Sequence, residues 1–230
     1  MALNERQQKI LELTEQKGRI TVARLAQKLY VSEMTVRRDL AKMEQEGHLK
    51  RFHGGAVANS DYIQYPIDTR MHINEKEKRD LAKKATSYIK SGQTLFLPGC
   101  STCAFMLPLL KDFEDITVIT NSVQFLIILS KMRIRCILSG GEYFESDRVL
   151  VGRSAENFLR SFNTDISFLS CDGISDDGMI SVEDENTAEI VRIGFQNSKC
   201  RVVLADRSKL GGRYTYNICR AEDVDEIIII

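Results

Sequence analysis

Apolar positions in the first 46 residues recur at helical spacing. Leu3, Ile10, Leu11 and Leu13 share one side of a helix predicted from about Glu5 to Lys17, with Asn4 placed to cap its start and Gly18 to end it. A second helix is predicted over Val22–Leu29, capped by Thr21 and apolar at Val22, Leu25, Ala26 and Leu29. After the short turn at Tyr30-Val31, Ser32 caps a third helix that runs to about Glu46 and stops at Gly47. At about 100° per residue, Val36, Leu40 and Met43 of this third helix fall together as its buried side. Met34, Arg38, Ala41 and Gln45 stand opposite, Arg37 and Thr35 flank that outer side, and Lys42 lies near its edge. The next stretch, GHLKRFHGGAVA, loosely alternates Leu49, Phe52 and Val57 with Lys50, Arg51 and His53 around the Gly54-Gly55 turn, which predicts a β-hairpin.

Residues 54–69 are rich in turn formers and mark a boundary; the expected organisation is a domain over 1–58, a linker over 59–73 and a second domain over 74–230. Beyond it the periodicity changes. Asn74 and Glu77 have capping-box spacing at the head of a helix ending at Gly92, with Leu81, Ala85, Tyr88 and Ile89 on its apolar face. Strand-like runs follow at 94–97, 117–120, 135–138, 166–170, 201–205 and 226–230, separated by helical patterns near 102–110, 122–130, 153–162 and 184–198. Near-continuous apolar strands alternating with helices predict an α/β domain whose parallel sheet is covered on both faces.

The composition is that of a globular protein, 43% apolar and 28% charged in 230 residues. No run approaches the roughly 18 apolar residues of a membrane span, and the charged N-terminus has no signal-peptide core; a cytoplasmic protein is expected. Its six cysteines then read as reduced thiols. The net charge of zero is unevenly distributed: residues 1–58 hold eleven Lys/Arg against seven Asp/Glu, so a small basic head sits on a mildly acidic body.

That charge changes the reading of the first three helices. Two helices joined by a tight turn, the second capped and carrying outward arginines, followed by a basic hairpin, describe a winged helix-turn-helix whose third helix enters a major groove. Met34 and Arg38 point farthest out and are the candidate base readers; Arg37, Thr35, Lys42, Arg51 and His53 are candidate phosphate contacts, with Thr21 and Ser32 at the helix starts beside them. In the body, the loops PGCST (98–102), TNS (120–122), SGG (139–141), CDGIS (171–175) and DRSKLGG (206–212) all follow strands, the edge where open α/β sheets bind ligands. Their small residues, two helix starts and Lys209 suit a small phosphorylated molecule.

The stretch Arg6–Ala58, above all VSEMTVRRDL and RFHGGA, resembles the winged N-terminal domain of DeoR-family bacterial transcription regulators. The resemblance continues through NEKEKRDLAKKA, VITNS, ILSGGEY, VGRSAENFL, CDGIS…DDGM and VLADRSKLG, which are similar to the family's effector-sensing domain. It implies a body with a fold like ribose-5-phosphate isomerase, double-stranded operator DNA as partner, and repression of a carbohydrate operon relieved by a phosphorylated metabolite. It also implies effector contacts at Ser101, Thr102, Asn121, Ser122, Gly140, Gly141, Gly173 and Lys209, with Cys100 in the same loop and Lys78 at a family lysine. The chain departs from the family's usual pattern in two places: the family's first loop reads Asp-Ser-Gly-Thr-Thr where this chain has Pro98-Gly99-Cys100-Ser101-Thr102, with proline for the acidic residue and cysteine for the glycine, and the family places a lysine where this chain has Val191.

Cys100 and Cys103 form a C-x-x-C at a helix start, which suits a redox-responsive regulator. No second pair or His cluster completes a zinc site, and no metal or cofactor is expected. Asp172, Asp176, Asp177 and Glu183 would suit acid–base work on a sugar, but a DNA-binding head is superfluous on an enzyme, and the expectation is a regulator. One winged domain makes few phosphate contacts, so a homodimer or homotetramer is expected to engage paired half-sites.

Overall fold

The computed structural model describes residues 4–17, 19–45, 48–52, 54–58 and 67–230, in two compact units, Met1–Tyr65 and Pro66–Ile230. The first unit comprises α1 (Glu5–Lys17), β1 (Arg19–Thr21), α2 (Val22–Leu29), α3 (Glu33–Gln45), β2 (Leu49–Phe52) and β3 (Gly55–Ala58). Asn4 caps α1 reciprocally: its Oδ1 accepts the Gln7 N–H at 2.9 Å and its own N–H donates to Gln7 Oε1 at 3.2 Å. Thr21 caps α2 through the Arg24 N–H. Tyr30 ends α2 in the left-handed conformation (φ 55°) with its ring exposed. Ile10, Leu25, Val36, Leu40 and Met43 close the core of the three helices, so the third-helix wheel holds. The hairpin β2–β3 is joined by β1, giving the sheet order β1-β3-β2. β1 is three residues between two helices and too short to show a period. The expected helix stops at Gly18, Glu46 and Gly47, and Leu3 and His53, lie outside the described residues.

The second unit opens with α4 (Ile67–His72), which occupies residues expected as linker, and α5 (Glu75–Thr86). Then come β4 (Thr94–Phe96), α6 (Ser101–Ala104), β5 (Thr117–Thr120), α7 (Val123–Lys131), β6 (Arg135–Leu138), β7 (Glu142–Phe144), β8 (Val149–Val151), α8 (Arg153–Arg160) and β9 (Thr164–Ser170). The chain continues through β10 (Gly173–Ile174), β11 (Met179–Val182), α9 (Glu185–Gln196), β12 (Ser198–Ala205), β13 (Tyr216–Arg220) and β14 (Glu226–Ile229). Six parallel strands form the main sheet in the order β14-β12-β9-β4-β5-β6. The chain starts in the middle at β4, winds outward to β6, then returns to β9 and winds the other way. The winding therefore reverses between β4 and β9, and their C-terminal ends flank the crevice where such sheets take ligands. Strand alternation covers both faces: Leu95, Leu97, Val118 and Phe168 pack against α5 and α7, while Phe96, Ile119, Leu169 and Val203 pack against α8 and α9.

Three further sequence expectations change. The helix near 102–110 breaks into α6 and a 3-10 turn over Leu107–Asp112, because Pro108 in its first turn cannot continue the α-helical hydrogen bonds. The helix expected to reach Gly92 stops at Thr86. Asn74 does not cap α5 with its side chain: it is left-handed (φ 50°), and its amide donates instead to Asp206 Oδ1 at 3.0 Å and Ser208 Oγ at 3.3 Å. The local hairpin β7–β8 and the small sheet β10-β11-β13, in which Val182 pairs with the distant Tyr216, lie outside the strands expected from the sequence.

Gly194 lets α9 lie directly against a ring of β4. A Cβ there would lie 1.9 Å from Cε1 of Phe96, itself 1% exposed. Gly194→Ala must move a fully packed ring and is expected to destabilise the second unit by about 3 kcal/mol, read as a lower urea midpoint at unchanged slope.

Candidate DNA interface and effector site

In the first unit, α3 presents its N-terminal half outward. Ser32 Oγ accepts the Thr35 N–H at 3.2 Å and lies 2.9 Å from the Thr35 hydroxyl, so these two predicted contacts also build the helix start. Met34 is 74% exposed, a large apolar side chain held in water beside arginines. A shallow cleft of about 450 Å³ is lined by Asn4, Arg6, Gln7, Met34, Thr35, Arg38, Asp39 and Lys42. Its wall is fixed by a pair the sequence reading missed: Arg6 grips the buried Asp39 through Nε (2.6 Å) and Nη2 (3.2 Å). A carboxylate in the middle of an amphipathic helix gives no signal that its partner lies 33 residues away. The paired arginines differ. Arg37 reaches Glu33 at 3.4 Å across one helical turn, whereas no ion pair among the described residues involves Arg38. Arg51, expected on a phosphate, ties the hairpin to α3: its Nε lies 2.6 Å from Glu44 Oε2, and its N–H donates to Glu44 Oε1 at 2.9 Å. Lys42 lines the cleft.

In the second unit the predicted loop residues divide by what they touch. Asn121 is a strut: its Oδ1 accepts the Gly99 N–H at 2.9 Å and its Nδ2 donates to the Leu150 carbonyl at 3.1 Å. Ser122 caps α7 through the Phe125 N–H. Thr102 bridges the crevice, its hydroxyl 3.2 Å from that of Ser170 at the end of β9, and Ser101 is buried beside it. Gly141 (φ 114°) and Gly173 have packing reasons, since a Cβ would meet the Val151 carbonyl at 2.5 Å and the Gly212 carbonyl at 2.4 Å. Gly140 (φ 71°) has open space in front of it. Val191 is buried in the core and Arg192 turns to the Asn217 carbonyl and Glu189, so neither supplies a cation to the crevice.

The charge of the crevice comes from elsewhere. Lys78 is 6% exposed and donates from Nζ to the Arg70 carbonyl at 2.6 Å. Burial first, then the neighbouring Lys209 and Arg70 cations, bring its ammonium down to about 8, with Asp206 and the Cys100 thiolate opposing. Asn74 explains the meeting: by binding Asp206 and Ser208 it pins the head of α5 to the turn over Arg207–Lys209. Arg70, from α4, stands beside Asp147 (Nη2–Oδ1 2.6 Å), but the two lack a linear hydrogen bond and Arg70 Nε is buried without one. Burial pushes the Asp147 carboxyl up against that cation, with Asp184 and Asp172 adding to the rise. Arg70, Asp147 and Asp206 were not singled out from sequence; Arg70 comes from α4 and the two carboxylates from separate turns.

Three of the acidic residues considered for catalysis are engaged in contacts within the fold. Asp172 accepts the Glu183 N–H at 2.9 Å, Asp177 pairs with Arg213 and Ser175, and Glu183 accepts from Thr215. They tie loops together.

Residues 6–62 match the DeoR-like helix-turn-helix domain and residues 73–229 the DeoR C-terminal sensor domain. The chain belongs to the DeoR family of transcriptional regulators. It is a DNA-binding regulator with a small-molecule sensor domain, and not an enzyme. It is 36% identical to the HTH-type transcriptional regulator YulB of Bacillus subtilis, over 99% of this chain and 89% of that one. It is 28% identical to the glycerol-3-phosphate regulon repressor of Escherichia coli (99% and 90%) and 33% identical to the lactose phosphotransferase system repressor of Lactococcus lactis (91% and 84%). Among solved structures it resembles the delta subunit of eIF2B from Chaetomium thermophilum in fold, with a TM-score of 0.51 and 14% identity over 67% of this chain and 56% of that one. A ribose 5-phosphate isomerase from Methanocaldococcus jannaschii matches at a TM-score of 0.44 and 20% identity, over 60% and 55%. No helix among the described residues is long and apolar enough to cross a membrane.

Proposed function

We propose that this DeoR-family regulator represses a carbohydrate-metabolism operon and is released from its operator by a phosphorylated sugar or a close relative of one. The observation that carries the effector class is Lys78: a buried ammonium facing two further cations, Lys209 and Arg70, with its proton affinity lowered to about 8. Like charges gathered out of water cost stability, and a dianionic phosphate is the ligand that relieves them. In this reading the loops after β4 and β9, where the winding of the sheet reverses, hold the sugar. Relatives whose names specify glycerol-3-phosphate and lactose phosphotransferase regulation support the class. In this reading Met34 and Arg38 read bases while Arg37, Thr35 and Lys42 hold phosphates. The protein acts in the cytoplasm as a homodimer or homotetramer, an assembly suited by the half-exposed Ile127 on α7.

A panel of sugar phosphates screened by thermal shift on the full chain tests the proposal, since a ligand that binds only the folded state raises its midpoint. At least one phosphate ester is expected to raise it and the parent sugars are not; a panel with no shift removes the effector assignment. Binding is expected to draw a proton onto Lys78. Affinity should therefore fall as pH rises through about 8, by up to about tenfold per unit, with a flat pH profile counting against Lys78 as the contact.

A further inference from the structure

All six cysteines belong to the sensor domain, and one environment stands apart. Burial pushes the thiols of Cys136 up to about 11 and of Cys171 and Cys219 to about 12, and raises Cys200 as well. Cys100 alone is held below the ordinary thiol value. The neighbouring Cys103 side chain is the main cause; burial opposes it, and the Cys103 N–H and the Arg70 and Lys78 cations add to it. Cys103 is raised well above the ordinary value by the same contact and by burial.

The backbone makes this a matched pair. Cys100 is the extended N-cap of α6 (φ −134°, ψ 160°), half-buried at the crevice, with Sγ accepting the Cys103 N–H at 3.4 Å. Cys103, in the first turn of the helix, is fully buried with its Sγ 3.4 Å from the Phe168 carbonyl. A half-buried cysteine thus stands one helical turn from an enclosed one, its sulfur bonded to that partner's N–H, the arrangement in which an attacking thiol has its resolving partner beside it.

We propose that Cys100 and Cys103 form a hydroperoxide-responsive dithiol that closes to a disulfide within the first effector loop. The Cys100 thiolate attacks one peroxide oxygen; the O–O bond breaks, hydroxide (or alkoxide) leaves, and Cys100 becomes a sulfenic acid. Cys103, giving up its proton, attacks the Cys100 sulfur; the S–S bond forms and hydroxide leaves as water. Two thiols and one hydrogen peroxide become one disulfide and two waters. Reduction by a low-molecular-weight thiol reverses the step. The bridge spans Ser101 and Thr102, so its formation breaks the Cys103–Phe168 contact and re-forms the first turn of α6. This chemistry stands whether or not the crevice binds a sugar phosphate.

The test treats the reduced full chain with stepwise equivalents of hydrogen peroxide, blocks remaining thiols with iodoacetamide and maps peptides by mass. The peptide carrying both residues should lose two hydrogens and escape alkylation at doses that leave Cys136, Cys171, Cys200 and Cys219 alkylated, and dithiothreitol should restore it. In the reduced chain at neutral pH, Cys100 should alkylate at least about tenfold faster than those four. Cys100→Ser should abolish the bridge and leave Cys103 unreactive. A sulfinic acid at Cys100 without a bridge, a bridge to another cysteine, or earlier oxidation of the other four overturns the proposal. Because the wild-type map and the half-buried Cys100→Ser variant carry the result, it does not depend on whether substitution of buried Cys103 folds.

Discussion

The double variant Arg37→Glu, Arg38→Glu is expected to bind duplex DNA about a thousandfold more weakly than the wild-type chain. A guanidinium paired with a guanine edge contributes about 1–3 kcal/mol of discrimination, and phosphate contacts fail when the charge is reversed. The loss comes without unfolding, since Val36, Leu40 and Met43 hold α3 from the other side. The surface pair lost, Arg37 to Glu33, stabilises the helix by only about 0.3–0.5 kcal/mol. Using duplexes enriched from a random pool by the wild-type chain, the slope of log affinity against log salt should shrink by roughly one for each phosphate contact removed. The single variants separate the roles: Arg38→Ala should relax preference at one base position, while Arg37→Ala should weaken all sequences alike. Unchanged affinity and salt slope in the folded double variant would remove α3 as the DNA-reading element.

Lys78→Met is expected to abolish stabilisation by a phosphate ester, an affinity loss of at least about a hundredfold, because one charge-assisted hydrogen bond is worth about 1.5–3 kcal/mol and a buried ammonium adds attraction to a dianion. The same change should leave the ligand-free chain as stable or more stable. With a folded value of about 8 against 10.5 for the ordinary lysine, the buried ammonium costs roughly 3 kcal/mol at neutral pH. The unfolded chain binds more protons between those two values, so wild-type stability should rise with pH from about 8 to 10.5 and level off above. Methionine fills the same volume without a charge, so the variant should lack that rise. Equilibrium unfolding across that pH range, with and without ligand, measures both effects. A variant that is less stable and still responds to the ligand would show Lys78 to be a packing residue.

The reach of the sequence can be traced through particular residues. Val36, Leu40 and Met43 repeat at helical spacing and were placed correctly because a helix couples only neighbours three and four apart. The strands were legible for a related reason: Leu95, Phe96 and Leu97 form a continuous apolar run only where both faces of a sheet are covered. What stayed hidden was long-range and polar. Asn74 has the spacing of a cap, yet the competing partner Asp206, brought alongside only when β12 joins the sheet, takes its amide. Arg6 meets Asp39, Arg51 meets Glu44, and Arg70 meets Asp147 across loops whose lengths say nothing about where a charge will land.

Local periodicity therefore determined the three helices of the first unit, the six strands of the main sheet and the buried side of α3, because those depend on free energies shared among near neighbours. The tertiary structure alone decided that Lys78, Lys209 and Arg70 gather beside the Cys100 loop where the winding of the sheet reverses. Electrostatic interaction depends on distance and burial in space, and neither is written in the spacing of residues along the chain.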